Sequence, residues 1–418
     1  MGETKLTRLR FLAGAAGLAG SATALGPAAE AIAARLPVPL GVQPAGLPSR
    51  QHAWAATLAT DGHGNPIAPR FDRLLFFDVL AGPTHDAVRT LEASLRTLER
   101  AYPWGPHGLL FTAGWGPHYF GHVLGVKSPI PAPKELSDFE LPTFDEYDLC
   151  LHLACDDEQR LEDVELALVH GRKLETAGAT GLGGILRWRE TRTGFVGTGL
   201  PAAHQHVNGI PPGNPVPASS PLFMGFKSGF RKNQATEDAV TIPSGAFAGG
   251  TTMQVSYMRL RLDSWYGMLD ERERVARMYA PEITPADVER FTDDAPSQPD
   301  HYSQSASRYG VVGHSQTSAR ARRHGMPRII RRDFNTVDGG LAGLHFVSVQ
   351  RSIADFVTTR KAMNAANASY LNPEISDTTN NGINEFIFVL KRANYILPAR
   401  AQRSFPLYSG QAAALSGG

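Results

Sequence analysis

Three separated groups of residues in this chain carry side chains that could do chemistry. Residues 225–229 read Gly-Phe-Lys-Ser-Gly, an isolated histidine stands at His314, and Arg331 opens an arginine pair further on. An imidazole nitrogen can ligate a metal, and a guanidinium can stabilise negative charge on a bound molecule. The Ser228 hydroxyl can hydrogen-bond a ligand, but its pKa lies far above neutrality, so it cannot shuttle a proton as a carboxylate does.

Two similar series of secondary-structure elements are predicted to position these groups. In each half, apolar runs and three- and four-residue spacings predict the order strand, helix, strand, strand, helix, strand. This order is typical of a ferredoxin-like βαββαβ unit, so the predicted fold class is α+β with two such units. The strands are predicted at 73–80, 108–114, 147–154, 184–195, 252–262, 328–335, 344–350 and 385–390, and the helices at 84–98, 156–170, 263–279 and 353–368.

Composition shifts along the chain suggest its domain organisation. The predicted segments are a targeting sequence at 1–35, an irregular arm at 36–70, an N-terminal domain at 71–198, a proline-rich linker at 199–222 and a C-terminal domain at 223–405. A polar insertion at 281–313, with a short helix opened by Thr284-Pro285, interrupts the second series.

Charge and cysteine content narrow the functional classes. A net charge of +1 gives no electrostatic reason to expect nucleic acid as a partner, and the arginines clustered at 320–332 are more typical of a solvated face or an anion site. The two cysteines, Cys150 and Cys155, lie five residues apart on a predicted strand, too far apart for a disulfide. We therefore expect packed thiols.

The N-terminus resembles an export signal. Lys5, Arg8 and Arg10 precede a stretch rich in alanine and glycine with Ala-x-Ala sequences, and Leu9 replaces the second arginine of a twin-arginine pair. The apolar stretch is too short to predict a stable membrane helix. We expect export, through a degenerate twin-arginine-like signal; a Sec signal or an uncleaved anchor remains the alternative.

The ordered motifs resemble those of the dye-decolourising peroxidase (DyP) family over roughly residues 70–400. The family's Gly-x-x-Asp-Gly motif is matched by Gly225–Gly229, with Ser228 in place of the aspartate. The other matching segments lie at 111–120, 148–157, 186–190, 194–195, 258–265 and 328–332.

The resemblance implies a fold, a cofactor and residue roles. The fold would be of the dimeric α/β-barrel type, with haem b in the C-terminal half. His314 falls where the family has its axial iron ligand, and Arg331 falls where it has its distal arginine. Gly225, Phe226 and Gly229 would line the haem site, and Ser228 would at best orient a bound peroxide.

The function that this resemblance implies is reduction of hydrogen peroxide with oxidation of an unknown second substrate. Because Ser228 replaces the proton-handling aspartate, we expect weakened activity. Two alternatives stay open: a non-catalytic haem protein for transport, sensing or iron handling, and a scaffold that has lost haem. A homo-oligomer is also left open.

Other side chains compete for roles in the site. His324 is the nearest alternative iron ligand, and His204 and His206 in the linker could bind a metal or supply a base, although no third ligand is visible. Asp333 and Asp338 follow Arg331 closely, but nothing in the sequence brings either to the iron. Gly225, Ser228 and Gly229 could equally serve only a turn.

Overall fold

The computed structural model describes residues 46–408, apart from His63 and the segments 175–180, 228–232 and 291–298. The predicted targeting segment, residues 36–45 of the arm, Ser228 and Gly229 lie outside these residues. No helix in the described part of the chain combines the length and the apolar character needed to cross a membrane.

Ten strands form one sheet. They are β1 Phe71–Val79, β2 Leu110–Trp115, β3 Thr143–Phe144, β4 Leu149–Cys155, β5 Leu186–Phe195, β6 Thr251–Leu260, β7 Ile329–Arg331, β8 Phe334–Thr336, β9 Gly343–Gln350 and β10 Ile387–Leu397. Their order is β2-β4-β1-β5-β8-β9-β6-β10-β3, with β7 also paired to β9. All pairs are antiparallel except β3 with β10.

Helices lie between these strands in both halves. The α-helices are α1 His85–Ala101, α2 Glu158–His170, α3 Leu200–Ala203, α4 Glu237–Val240, α5 Leu262–Gly267, α6 Glu271–Met278, α7 Pro285–Arg290, α8 Pro299–Tyr309, α9 His314–Ala319, α10 Ile353–Met363 and α11 Ala368–Leu371. Short 3-10 or π turns lie at Ala55–Thr57, Tyr119–Val123, Asp338–Gly340, Asn384–Phe386 and Arg400–Gln402.

The sheet closes on itself through two narrow seams between its halves. One seam pairs Phe195 of β5 with Asn335 of β8, and the other pairs Trp115 of β2 with Ile396 of β10. Inside the closed sheet, apolar side chains from both halves form one core cluster, which includes Leu74, Phe76, Cys150, Met253, Val255, Phe334, Val347 and Tyr395. The result is a mixed α/β fold in which each half supplies part of a shared core.

Local sequence accounts for the first half of the fold. Thr84 and Asp157 cap α1 and α2 by accepting from the backbone amides of Ala87 and Arg160. In β1 the run 74–77 is buried at every position, because its side chains alternate between the interior of the closed sheet and the covering helices. Both cysteines are buried free thiols, which confirms that prediction.

Several predicted boundaries are wrong in the second half. The helix expected over 263–279 is divided, because Asp270 starts a new helix with its own capping box. The last strand runs to Leu397, well beyond residue 390, because β10 pairs with β6 along its whole length. The insertion holds α8 where a polar stretch was expected.

Candidate functional site

A large cavity lies between the sheet of the C-terminal half and the helices that cover it. Its empty volume is about 960 Å³, and most of its lining side chains are apolar. One face of α10 contributes Phe356, Thr359, Arg360 and Met363, which follow the spacing of a single helix face. The polar and charged lining residues are Lys227, Ser256, His314, Arg331, Asp333, Asn335, Thr359, Arg360 and Arg392.

Every second residue of one extended segment lines this cavity. Ile329, Arg331, Asp333 and Asn335 face it, while Phe334 packs into the core of the closed sheet. The segment spans β7 and β8, and its pairing with β9 keeps the same register on both sides of the break at 332–333. The period of two therefore continues through the break and places Arg331 and Asp333 on one wall.

His314 opens α9 and lies on the cavity wall. Burial, assisted by the positive charges of Arg331 and Arg360, lowers the pKa of His314 to about 3, so the imidazole is neutral at physiological pH. Its Nδ1 is buried with no hydrogen-bond partner among the described residues, and the side chain lines the cavity. A neutral ring nitrogen on an apolar wall is a suitable axial ligand for a metal.

Arg331 is held by its backbone. The Gln234 side-chain oxygen accepts from the Arg331 amide at 2.7 Å, and the Gln234 side-chain nitrogen donates to the Arg331 carbonyl at 3.3 Å. This paired contact fixes the strand end while the guanidinium extends into the cavity.

The segment 221–227 is pinned against the second half of the fold. The Asn335 amide oxygen accepts from the Phe223 amide at 2.8 Å, and the Trp265 indole donates to the Met224 carbonyl at 2.9 Å. The Tyr279 hydroxyl donates to the Lys227 carbonyl at 3.1 Å. These contacts carry Phe226 and Lys227 to the cavity wall.

Gly225 has a structural role in this segment. Its φ of +91° is strained for any other residue, and an added Cβ would lie 3.0 Å from the Tyr266 hydroxyl. Gly225 itself is not among the residues that line the cavity. Its neighbours Met224 and Phe226 do line it, so the turn at Gly225 sets their direction.

Two buried arginines share a single carboxylate beside the cavity. Arg360 Nε and Arg392 Nη2 donate to the two oxygens of Glu140 at 2.8 and 2.9 Å. A β-bulge between Val389 and Lys391 lets Arg392 share a face with Val389, which it would otherwise oppose. One carboxylate for two guanidinium groups leaves this wall positively charged.

Asp333 is a lining residue to which the sequence assigned no role. Burial raises the pKa of the Asp333 carboxyl, and the positive charge of Arg331 acts in the opposite direction. The alternation along 329–335 was the signal that could have placed Asp333 beside Arg331. Arg360 and Arg392 gave no such signal, because they reach the cavity from elements far away in sequence.

Other predicted candidates lie elsewhere. His324 is exposed in a turn, and His206 is exposed in the linker. His204 stacks on Phe195, with 4.2 Å between ring centroids, and its Nδ1 lies 2.8 Å from the Leu200 carbonyl oxygen. Asp338 pairs with buried His345 and is not a lining residue. Among the described residues, no group of three or more His, Cys, Asp or Glu side chains could hold a metal ion.

Solved structures share this fold. A dye-decolorizing protein from V. cholerae aligns at a TM-score of 0.53 and 14% identity, covering 84% of this chain and 99% of that one. A DypB variant from Rhodococcus jostii RHA1 in complex with heme aligns at a TM-score of 0.53 and 13% identity, covering 85% of this chain and 97% of that one. A DyP-type peroxidase from Cellulomonas bogoriensis aligns at a TM-score of 0.52 and 18% identity, covering 84% of this chain and 99% of that one.

These structural likenesses establish a fold similar to that of DyP-type peroxidases, at identities too low to carry an activity. No curated protein matches the sequence. Residues 69–399 match a family of unknown function, DUF7405, over most of the chain. The chain is therefore a member of the DUF7405 family.

Proposed function

We propose that this protein is a haem-dependent peroxidase of the DyP type, which reduces hydrogen peroxide and oxidises a second substrate. The observation that carries the proposal is the position of His314, Arg331 and Phe226, which line one cavity although they are far apart in sequence. The likeness of the fold to DyP-type structures supports the same reading.

The residues of the cavity fit a haem. Its lining side chains are predominantly apolar with a few polar groups, as is typical of ligand and cofactor pockets. Its apolar walls suit a porphyrin face, and Lys227, Arg360 and Arg392 are cations on those walls of the kind that bind carboxylates such as those of haem. His314, which is neutral and has a buried Nδ1 without a partner among the described residues, would supply a ring nitrogen to the iron.

The chain's own residues would perform defined tasks in the reaction. Bound haem would supply an iron centre able to accept electrons from the second substrate and pass them to peroxide. His314 would hold the iron, and Arg331 would stabilise the negative charge that develops as the peroxide O–O bond breaks. Phe226, packed edge-on against Tyr279 with 5.6 Å between ring centroids, would help to keep water out.

A second candidate function is haem binding without catalysis, for transport, sensing or iron handling. Ser228, in place of the family's aspartate, is the observation that favours it. Measured peroxide turnover by the haem-loaded protein separates this candidate from a peroxidase.

The first test is a haem titration followed by absorption, with His314→Ala and the matched control His324→Ala. We expect wild type and His324→Ala to bind one haem per chain, and His314→Ala to lose the complex or to change its spectrum. If the wild type shows no saturable binding of haem, the proposal that this protein is a haem protein is wrong. If His314→Ala binds haem with unchanged affinity and an unchanged spectrum, His314 is not the iron ligand.

We also propose that each half is a ferredoxin-like unit. The strand orders β2-β4-β1-β5 and β8-β9-β6-β10 support this, because each places the second, third, first and fourth strands of its half side by side. Expression of residues 223–405 alone tests it: a folded product would support an independent unit.

Export through the N-terminal segment is likewise a proposal that rests on the sequence alone. Mass spectrometry of the protein recovered outside the cytoplasm is expected to find a new N-terminus near residue 35. Recovery of the full-length chain in the cytoplasm alone would contradict it.

A further inference from the structure

The Arg331 wall of the cavity contains a carboxylate that the family resemblance does not assign. Asp333 and Arg331 lie two residues apart on one face of the same extended segment, so their Cβ atoms are about 7 Å apart. Both line the cavity. Among the described residues, Asp333 has no ion-pair partner, so its carboxylate is not neutralised by a direct contact with Arg331.

We propose that Asp333 is the proton-transfer carboxylate of this cavity, and that it replaces in function the aspartate absent at position 228. This inference rests on the proposed peroxidase function and deepens it. A carboxylate anywhere within reach of bound peroxide can serve as the base, because the proton transfer needs hydrogen-bond reach and not a fixed place in the sequence.

The proton movement balances within one turnover. Asp333 takes the proton from one oxygen of hydrogen peroxide and returns it to the other oxygen, which leaves as water when the O–O bond breaks. In the complete reaction, hydrogen peroxide takes up two electrons and two protons and becomes two waters. The second, reducing substrate supplies both electrons, the two protons come from that substrate or from solvent, and Asp333 ends the cycle in its starting state.

Charged groups around Asp333 influence whether its carboxyl group is ionised or protonated. The positive charge of Arg331, on the same segment, favours the Asp333 carboxylate, and Lys227, Arg360 and Arg392 are cations on the other cavity walls. Asp72 on β1 is an acidic group whose pKa is raised by burial and, to a smaller extent, by the negative charge of Asp333. Burial is the largest influence on the Asp333 carboxyl: it favours the protonated acid and raises the pKa.

The test compares Asp333→Asn with Asp263→Asn, a matched variant at an exposed aspartate that does not line the cavity. The amide is isosteric with the carboxyl and cannot carry the proton. Haem binding, peroxide reactivity by stopped flow and the rate of cyanide association are measured for each. Cyanide enters as a weak acid and needs a base to take its proton, so this readout requires no turnover.

We expect Asp333→Asn to bind one haem per chain and to lose at least about tenfold in both rates near neutral pH. Asp263→Asn should stay within about threefold of wild type. Asp333→Glu, which keeps a carboxyl, should recover part of the loss and so exclude a merely structural effect. Unfolding of haem-free Asp333→Asn monitors its fold.

The outcomes distinguish this inference from the function on which it rests. Normal haem binding with Asp333→Asn rates within threefold of wild type overturns the role of Asp333 and leaves the peroxidase proposal standing. A loss in Asp263→Asn as large as that in Asp333→Asn would show that the effect is not specific to the cavity and would likewise overturn the role of Asp333. Absence of haem binding by the wild type overturns both.

Discussion

The imidazole of His314 depends on the residue before it. Gly313 precedes α9 at a point where an added Cβ would lie 1.9 Å from the Tyr279 carbonyl oxygen. Only glycine allows this close approach of two backbones, and the approach places His314 on the cavity wall.

At the residue scale we therefore predict that Gly313→Ala displaces the start of α9. The overlap is expected to lower the free energy of unfolding by about 1–3 kcal/mol and to weaken haem binding, because the ligand moves with the helix. Denaturant unfolding and a haem titration measure the two effects. Gly183→Ala is the control, since its Cβ would meet nothing within 4 Å. Equal stability of the two variants would contradict the argument.

The helix beside the cavity shows how local signals divide an element. Asp270 accepts from the Glu273 amide at 2.8 Å, and the Glu273 carboxylate accepts from the Asp270 amide at 2.8 Å. This reciprocal pair starts α6, whose buried Met278 lines the cavity. The break between α5 and α6 is therefore built into the sequence, although the apolar spacing alone predicted one helix.

At the element scale we predict that Asp270→Ala lowers the free energy of unfolding by about 1 kcal/mol, because the Glu273 amide loses its acceptor. Asp263→Ala is a matched control: Asp263 is exposed in the first turn of α5, a helix without a side-chain cap. The free energy of unfolding of Asp263→Ala should stay within about 0.5 kcal/mol of the wild-type value. A control as destabilised as the cap variant would show that the loss does not come from capping.

A partly buried ionic cluster joins the two halves of the molecule. Glu190 on β5 accepts from Lys391 on β10 at 3.0 Å, from Arg192 at 3.1 Å and from the Tyr147 hydroxyl at 2.8 Å. Burial by itself would raise the pKa of Glu190, but the hydrogen bonds and positive charges of Arg192 and Lys391 outweigh it and hold the pKa at about 2.

At the scale of the whole molecule we predict a pH-dependent effect of Glu190→Gln. The folded pKa lies below the ordinary value of 4.5, so the carboxylate stabilises the fold above pH 4.5, and this stability is lost as pH falls toward 2. The variant should lose about 1–3 kcal/mol at pH 7, and the gap to wild type should narrow below pH 4.5. Chemical denaturation at several pH values measures it.

Glu271→Gln, at an exposed position, is the control for that series and should show no such narrowing. If the loss of unfolding free energy in Glu190→Gln stays constant from pH 7 to pH 3.5, packing and not charge accounts for the contribution of this side chain to stability.

The sequence by itself determined the features that depend on near neighbours. The Thr84 and Asp157 caps, the apolar run of β1 and the alternation along 329–335 are local, so their signals survive without knowledge of the fold. The fold class followed from the order of predicted elements, and the candidates His314 and Arg331 followed from the resemblance of the ordered motifs to the DyP family; both residues line one cavity. Whether they act there remains a prediction.

Only the tertiary structure decided which distant side chains meet and in what charge state. Arg360 and Arg392 share Glu140 through contacts of more than 200 residues in sequence separation, which no local pattern encodes. The neutral His314 and the raised pKa of Asp333 arise from burial, which exists only once the sheet and helices enclose the cavity. Chain topology, not residue type, therefore decides that Asp333, Arg360 and Arg392 line the same cavity as His314.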